Sequence, residues 1–272
     1  MASPIFKFRY HQTVYPAIDP AQPSLSAAGK TILITGGGKS IGKAITESFA
    51  IAGASHIVIL GRELEALNKI RDDFQAKYPK TKIHVYAVDI ADADRCREIF
   101  DEVKQDIAPI DVLVLNAGYL AAPSHISTMP MDDFWTCFEV NVKANTSLLQ
   151  SFLRTCSPTN PMLINISSFL AWLGPIGFQA QAYAASKAAF DVVVRYLADQ
   201  EREVRVFTLH PGSIVSPMSI KVGIDPTREG VYDDGESFSS FYFGAARRCP
   251  DAVQPCYPEP WQSTSPLHGE NF

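Results

Sequence analysis

Residues 32–45 read ILITGGGKSIGKAI, and the reading of this stretch decides the fold. Gly38-Lys39-Ser40 looks like the end of a nucleoside-triphosphate loop. The apolar run, the glycines and the helix-like pattern after them look like a dinucleotide cradle. A triphosphate loop needs G-x-x-x-x-G-K-[ST]. With Gly38 as its second glycine, the first belongs at position 33, which is Leu33. The ATP reading fails there. The strict G-x-G-x-x-G also fails, because Ile41 stands three residues after Gly38. What remains is Thr35-Gly36, then Ser40-Ile41-Gly42, directly after a strand pattern and opening a helix. Glycines let the backbone approach a pyrophosphate, and the free N–H groups and dipole of the following helix favour its charge.

From Lys30 onward, short β-branched runs alternate with amphipathic stretches of helical length. Strands are expected at Thr31–Thr35, His56–Leu60, Lys82–Val88, Asp111–Leu115, Met162–Ile166 and Val204–Leu209. Helical patterns lie between them at Ser40–Ala52, Leu64–Tyr78, Asp94–Ile107, Met131–Ser151 and Ala182–Glu203. Runs such as Ile57-Val58-Ile59-Leu60 and Val112-Leu113-Val114-Leu115 are apolar on both faces, which suits strands covered by helices above and below. The alternation predicts a single α/β domain over residues 30–217: a Rossmann-type doubly wound parallel sheet in the order 3-2-1-4-5-6. Residues 1–29, with Pro4, Pro16, Pro20 and Pro23, read as an extended arm. Residues 218–272 form a divergent tail.

The chain has 272 residues, 46% of them hydrophobic, enough for a substantial core. Its formal net charge of −5 comes without a basic run, so neither nucleic acid nor an anionic membrane is an expected partner. The N-terminus lacks the apolar segment of a secretory signal, and no uncharged stretch reaches the roughly 18–20 residues of a membrane span. Five scattered cysteines without C-x-x-C read as reduced thiols of a cytoplasmic protein. The six histidines show no paired spacing, and no metal is expected.

Thr35-Gly36…Gly42, Asn116-Ala117-Gly118 after the fourth strand, Asn141, Ser168, Tyr183-Ala-Ala-Ser-Lys187 and Pro211-Gly212 occur in that order. This succession over residues 30–217 resembles the short-chain dehydrogenase/reductase family, and the Pro-containing leader with its YPAIDP resembles fungal members. The resemblance implies an enzyme that moves a hydride between a nicotinamide and a ketone, aldehyde or secondary alcohol. It also implies pairing through the Tyr-bearing helix into a dimer or tetramer.

Tyr183 and Lys187, at i and i+4 on a predicted helix, project from one face. A free tyrosine titrates near pH ~10, and a neighbouring ammonium is expected to lower that value. In the family the tyrosine gives its proton to the substrate oxygen and the lysine also holds the nicotinamide ribose. Ser168 is expected at the carboxyl end of the fifth strand, hydrogen-bonding the carbonyl oxygen as charge develops. Ser167 is the neighbouring alternative, and the spacing from Ser168 to Tyr183 is a residue or two longer than the family's. Asn141 resembles the helix asparagine that supports a water relay to the lysine.

The second strand ends ILGRE, without the acidic residue that would accept a ribose 2′-hydroxyl. Arg62 and Lys39 offer cations to a 2′-phosphate instead, with Glu63 expected to point elsewhere, so the cofactor is read as NADP(H). The resemblance places Asp89 and Ile90 at the adenine. Thr35, Gly36, Lys39, Ser40, Ile41, Gly42, Asn116, Ala117 and Gly118 line the remaining path, with Tyr183 and Lys187 at the ribose. Pro211, Gly212, Ile214 and Ser216 lie at the nicotinamide, Ser216 standing where the family usually has Thr.

Phe169, Leu170, Trp172, Leu173, Pro175, Ile176 and Phe178 read as a pocket wall for an apolar, polyketide-like substrate, or as ordinary packing. The tail shows no seventh strand. It either folds over the pocket, with Phe241, Tyr242, Phe243 and Trp261 as anchors, or leaves the sheet's edge open. Two rival readings keep the fold: a non-catalytic NADP(H)-binding protein, and an epimerase or dehydratase.

Overall fold

The computed structural model of the chain describes residues 16–172, 177–212 and 214–223. Its strands are β1 (Thr31–Thr35), β2 (His56–Gly61), β3 (Lys82–Ala87), β4 (Val112–Leu115), β5 (Met162–Ile166) and β6 (Arg205–Leu209). They form one parallel sheet in the order β3-β2-β1-β4-β5-β6. The helices are α1 (Ser40–Ile51), α2 (Leu64–Lys77), α3 (Ala93–Asp106), α4 (Met131–Phe138), α5 (Asn145–Thr155), α6 (Gln181–Gln200) and α7 (Pro217–Lys221).

The double covering follows from the strand period of two. Ile32, Ile34, Ile57, Ile59 and Val114 face one core with Ile45 and Phe49 of α1 and Leu67 and Phe74 of α2. Leu33, Val58, Leu60, Leu113 and Leu115 face a second core with Ile99 and Phe100 of α3, Phe152 of α5 and Phe190 of α6. Each such side chain removed from water contributes roughly 1.5–3 kcal/mol before conformational entropy is counted. All six strands point their carboxyl ends to the same edge, and the crevice between β1 and β4 opens where the strand order reverses.

Three expectations need adjustment. The segment before β1 is not simply extended: it makes two 3-10 turns, Pro16–Ile18 and Pro23–Leu25, and buries Ile18, Leu25 and Ala27. The helix expected at Met131–Ser151 runs to Thr155 and is interrupted by a π-helical stretch, Glu139–Ala144. Beyond Ser216 the chain forms the short helix α7. Residues 1–15, 173–176 and 224–272 lie outside the described residues. With them go the seventh strand, the tail anchors and three members of the expected pocket wall, Leu173, Pro175 and Ile176.

Candidate active site

The loop from β1 to α1 is built around glycines. Gly36 has φ +66°, and a Cβ on Gly42 would lie 2.1 Å from the Gly36 carbonyl oxygen. A Cβ on Gly37 would meet Ile59 and Thr46 at 2.9 Å, so this glycine, which the motif reading passed over, is also required. Lys39 is the N-cap of α1 and makes no side-chain cap, and the first turn carries no acidic residue. The amides of Ser40, Ile41 and Gly42 therefore open the helix, as an anion cradle requires. These features fit the pyrophosphate of a dinucleotide.

Thr35 and Asn116 hold the loop rather than reach out of it. The Thr35 hydroxyl donates to the Val114 carbonyl at 3.3 Å and accepts the amides of Asn116 and Ala117, both at 3.0 Å. The Asn116 amide donates to the carbonyls of Thr35 and Gly36. A Cβ on Gly118 would come within 3.1 Å of Asn141 Oδ1 and 3.7 Å of Lys187 Nζ, so glycine keeps the approach to the lysine open. Asp89 is exposed just beyond β3, while Ile90 is buried. Gly212 has φ +78°, and Ile214 packs against the first core. The Ser216 hydroxyl caps α7, accepting the Ser219 amide at 3.1 Å.

At the second strand the structure corrects one expectation. Glu63 does not point away: its carboxylate lies 2.5 Å from Lys39 Nζ. As the N-cap of α2 it has extended backbone and swings back across the loop. Arg62, exposed beside it, adds a second positive charge near the same carboxylate.

Tyr183, Lys187 and Ser168 converge. Ser168, only 7% exposed, follows β5 and accepts the Leu170 amide at 3.3 Å, with its hydroxyl near that of Tyr183. Ser167 turns the other way, its hydroxyl donating to Asp191 at 2.6 Å. The two serines, alternatives in the sequence, thus have different partners. Lys187 is buried on α6, with Nζ donating to the Ile166 carbonyl at 2.7 Å and lying 5.9 Å from the centre of the Tyr183 ring.

The expected lowering of the tyrosine's pKa is absent from this arrangement. Tyr183 keeps some exposure as a residue, but its hydroxyl is enclosed, and burial pushes it up to about 12 against the opposing hydrogen bond from Ser168. Burial also drives Lys187 down to about 8, with the Asp191 charge pulling the other way. Desolvation dominates at Tyr183, and the lysine is turned to the Ile166 carbonyl.

Asn141 is fully buried in the π-helical stretch. Its Oδ1 accepts the Tyr119 amide at 2.7 Å, and its Nδ2 donates to the Tyr119 carbonyl at 2.8 Å and the Ser186 hydroxyl at 2.9 Å. Its own carbonyl accepts Asn145 Nδ2 at 3.1 Å. None of these bonds reaches Lys187. A π-helical turn shifts the register of a helix by one residue and is frequent at functional sites. Here it carries the asparagine that ties the loop after β4 to α6.

The motif search also passed over the clasp beyond that loop. The Tyr119 hydroxyl donates to Asp133 at 2.5 Å, and Lys221 of α7 donates to the Leu120 carbonyl at 2.6 Å. No spacing in the sequence joins residues this far apart.

A sequence profile described as short chain dehydrogenase matches residues 30–226. The chain belongs to this family. Among similar short-chain dehydrogenases is "Short chain dehydrogenase/reductase" of Claviceps purpurea, 33% identical over 200 residues, 71% of this chain and 65% of that one. Another, "Short chain dehydrogenase/reductase nsrO" of Aspergillus novofumigatus, is 30% identical over 76% of this chain and 72% of that one. The chain thus spans just under two thirds of the first relative's length. Among solved structures, the Pseudomonas aeruginosa RhlG/NADP active-site complex is 25% identical. It covers 86% of this chain and 97% of that chain, with a TM-score of 0.75. The short-chain dehydrogenases bind a nicotinamide cofactor, and the loop glycines, the open first turn of α1 and the uncrowded Gly118 fit one.

Proposed function

We propose that the protein is an NADP(H)-dependent reductase of a ketone or aldehyde, acting on an apolar small molecule. The observation that carries the reading is Tyr183 beside Ser168 and over the buried Lys187, whose Nζ lies 5.9 Å from the centre of its ring, with the phenol hydroxyl enclosed and pushed up to about 12. A phenol that holds its proton at neutral pH is an acid for an alkoxide, which is more basic still. Ser168 and Tyr183 bind the carbonyl oxygen, and the Tyr183 proton passes to it as negative charge develops. Among the described residues Lys187 Nζ has one acceptor, Ile166, which leaves donors for the ribose hydroxyls of the cofactor. When bound, the reduced nicotinamide supplies the hydride to the carbonyl carbon.

Preference for the 2′-phosphate is supported by Lys39 and Arg62 beside the end of β2, with Glu63 as a competing anion that the phosphate displaces. The apolar character of the substrate is supported by Phe169, Leu170 and the exposed Trp172 after Ser168, and by Tyr119, Phe134 and Met129 packed near Tyr183. Exposed Met131 and Trp135 on α4, with Val192 and Tyr196 on α6, support a homodimer or homotetramer. No helix of the described residues is long and apolar enough to cross a membrane, and we place the protein in the cytoplasm. The test is consumption of NADPH with a panel of apolar ketones and aldehydes. Binding of NADPH without reduction of any of them would overturn the enzymatic reading.

A further inference from the structure

Three consecutive residues at the carboxyl end of β5 are each hydrogen-bonded to one helix. Asn165 Nδ2 donates to Asp191 Oδ1 at 2.9 Å, and the Ile166 carbonyl accepts Lys187 Nζ at 2.7 Å. The Ser167 hydroxyl donates to Asp191 Oδ2 at 2.6 Å, and the Ser168 hydroxyl that follows lies near that of Tyr183. Tyr183, Lys187 and Asp191 recur at every fourth position of α6, so they share one face. Asp191 is 4% exposed, and Asn165 and Ser167 are 1% and 2% exposed. An aspartate this deep in a helix is rare unless paired. Both of its oxygens accept a hydrogen bond, as an ionised carboxylate can.

We propose that Asp191 is a positioning residue of the active site: its buried carboxylate is the counter-charge of Lys187 and, through Ser167, anchors the turn that presents Ser168. This rests on the reading of Tyr183 and Lys187 as the proton-transfer pair, but it concerns charge and placement and can be read without turnover.

The surroundings leave few other sources of charge. Around Asp191, α6 contributes Lys187, Tyr183 and the exposed Arg195. Asn165 of β5, Ser167 just after it and Thr208 of β6, 3.5 Å from Asn165 Nδ2, are all neutral. From α4, Cys137 faces Tyr183. Asp191 is the carboxylate whose charge opposes the fall in the Lys187 value. Burial raises the Asp191 carboxyl, and the Ser167, Lys187, Asn165 and Arg195 groups oppose that rise. The aspartate in turn holds the lysine charged, which keeps a cation beneath the phenol that must release a proton.

The experiment follows the Lys187 resonance in protein labelled with [13Cε]lysine, identified by its loss in Lys187→Arg. In the wild type this signal titrates near pH 8, below the other lysines. In Asp191→Asn its midpoint falls by about one pH unit, the direction expected when an opposing charge is removed. The NADPH affinity and the Ser168-dependent rate fall with it. A merely structural aspartate would lower the melting temperature and leave the midpoint where it was, and that result overturns the proposal.

If Asp191→Asn fails to fold, the wild type and Ser167→Ala still decide. The wild-type Lys187 signal shows a small second step at acid pH as Asp191 takes up its proton. In Ser167→Ala that step moves to higher pH, because a hydrogen bond to the carboxylate is gone. Absence of the acid step, or a step indifferent to Ser167, refutes the coupling. An active Tyr183→Phe would refute the underlying mechanism while leaving these titrations unchanged, so the two failures are distinct.

Discussion

Lys39 Nζ lies 2.5 Å from the Glu63 carboxylate, bridging the loop before α1 to the loop before α2. Both side chains are more than half exposed, so the pair is screened by water and salt and exchanges partners easily. A 2′-phosphate offers Lys39 and Arg62 more charge than one carboxylate does. Glu63→Gln is therefore expected to tighten NADPH about three- to tenfold and to leave NADH nearly unchanged. Lys39→Ala with Arg62→Ala should weaken NADPH by at least about tenfold. Fluorescence titration of both cofactors reads each outcome, and equal wild-type affinity for NADPH and NADH would remove the basis of the clamp.

The opposite orientations of Ser167 and Ser168 separate two kinds of loss. Ser168→Ala removes the hydroxyl beside Tyr183 that would bond the substrate oxygen, and kcat should fall about 10²- to 10³-fold with NADPH binding intact. Tyr183→Phe removes the proton donor, and about 10²- to 10⁴-fold is expected. Ser167→Ala touches neither and should cost activity far less than Ser168→Ala, while lowering the melting temperature by loosening Asp191. Reversal of the order of the two serines would show that the wrong one has been placed at the substrate.

The sheet was legible because β-branched runs bounded by glycines and polar residues leave few other readings. Thr31–Thr35 and Met162–Ile166 form as expected, and the other strands shift by one residue at an end. The loop glycines and the Tyr183/Lys187 spacing were legible for the same reason: backbone geometry and helical period are local properties. What stayed hidden depends on contacts across the fold. Glu63 reaches Lys39 from 24 residues away in sequence, and Asn141 spends its amide on Tyr119 and Ser186. Asp191 looks like any helix aspartate until the fold seats it against Asn165 and Ser167. The Tyr183 hydroxyl is pushed up rather than down because burial dominates it and the lysine is turned toward Ile166, which no local pattern reveals.

Gly42 tests the cradle. A methyl group there would stand 2.1 Å from the Gly36 carbonyl oxygen and 2.7 Å from Asn116 Nδ2, both fixed by the β1 and β4 loops. The start of α1 must move away from the loop, and its free amides move with it. Gly42→Ala should weaken NADPH and NADH alike, by at least about tenfold, whereas Gly53→Ala, remote and meeting nothing within 4 Å, is strained only by its φ of +77°. A cofactor affinity unchanged in Gly42→Ala would mean that the helix terminus does not hold the pyrophosphate.

Lys187 also makes stability depend on pH in a direction that can be fixed in advance. Its folded value, about 8, lies below the ordinary 10.5, so between these limits the unfolded chain holds more protons than the folded one. Stability attributable to this group therefore rises with pH across that window, and the full burden of the buried ammonium is carried below pH 8. The shift corresponds to about 3 kcal/mol, at 1.36 kcal/mol for each pH unit. Lys187→Met keeps an unbranched side chain one atom shorter and removes the titration. Its absolute stability also reflects the Ile166 carbonyl left without a donor and Asp191 left without a counter-charge, so the slope is the quantity to read. Denaturant unfolding of wild type and Lys187→Met from pH 7 to 10.5 should show the wild type gaining on the variant by about 3 kcal/mol. A difference that is flat, or that falls as pH rises, would mean that Lys187 is solvated or held charged by more than Asp191, and the buried site would have to be redrawn.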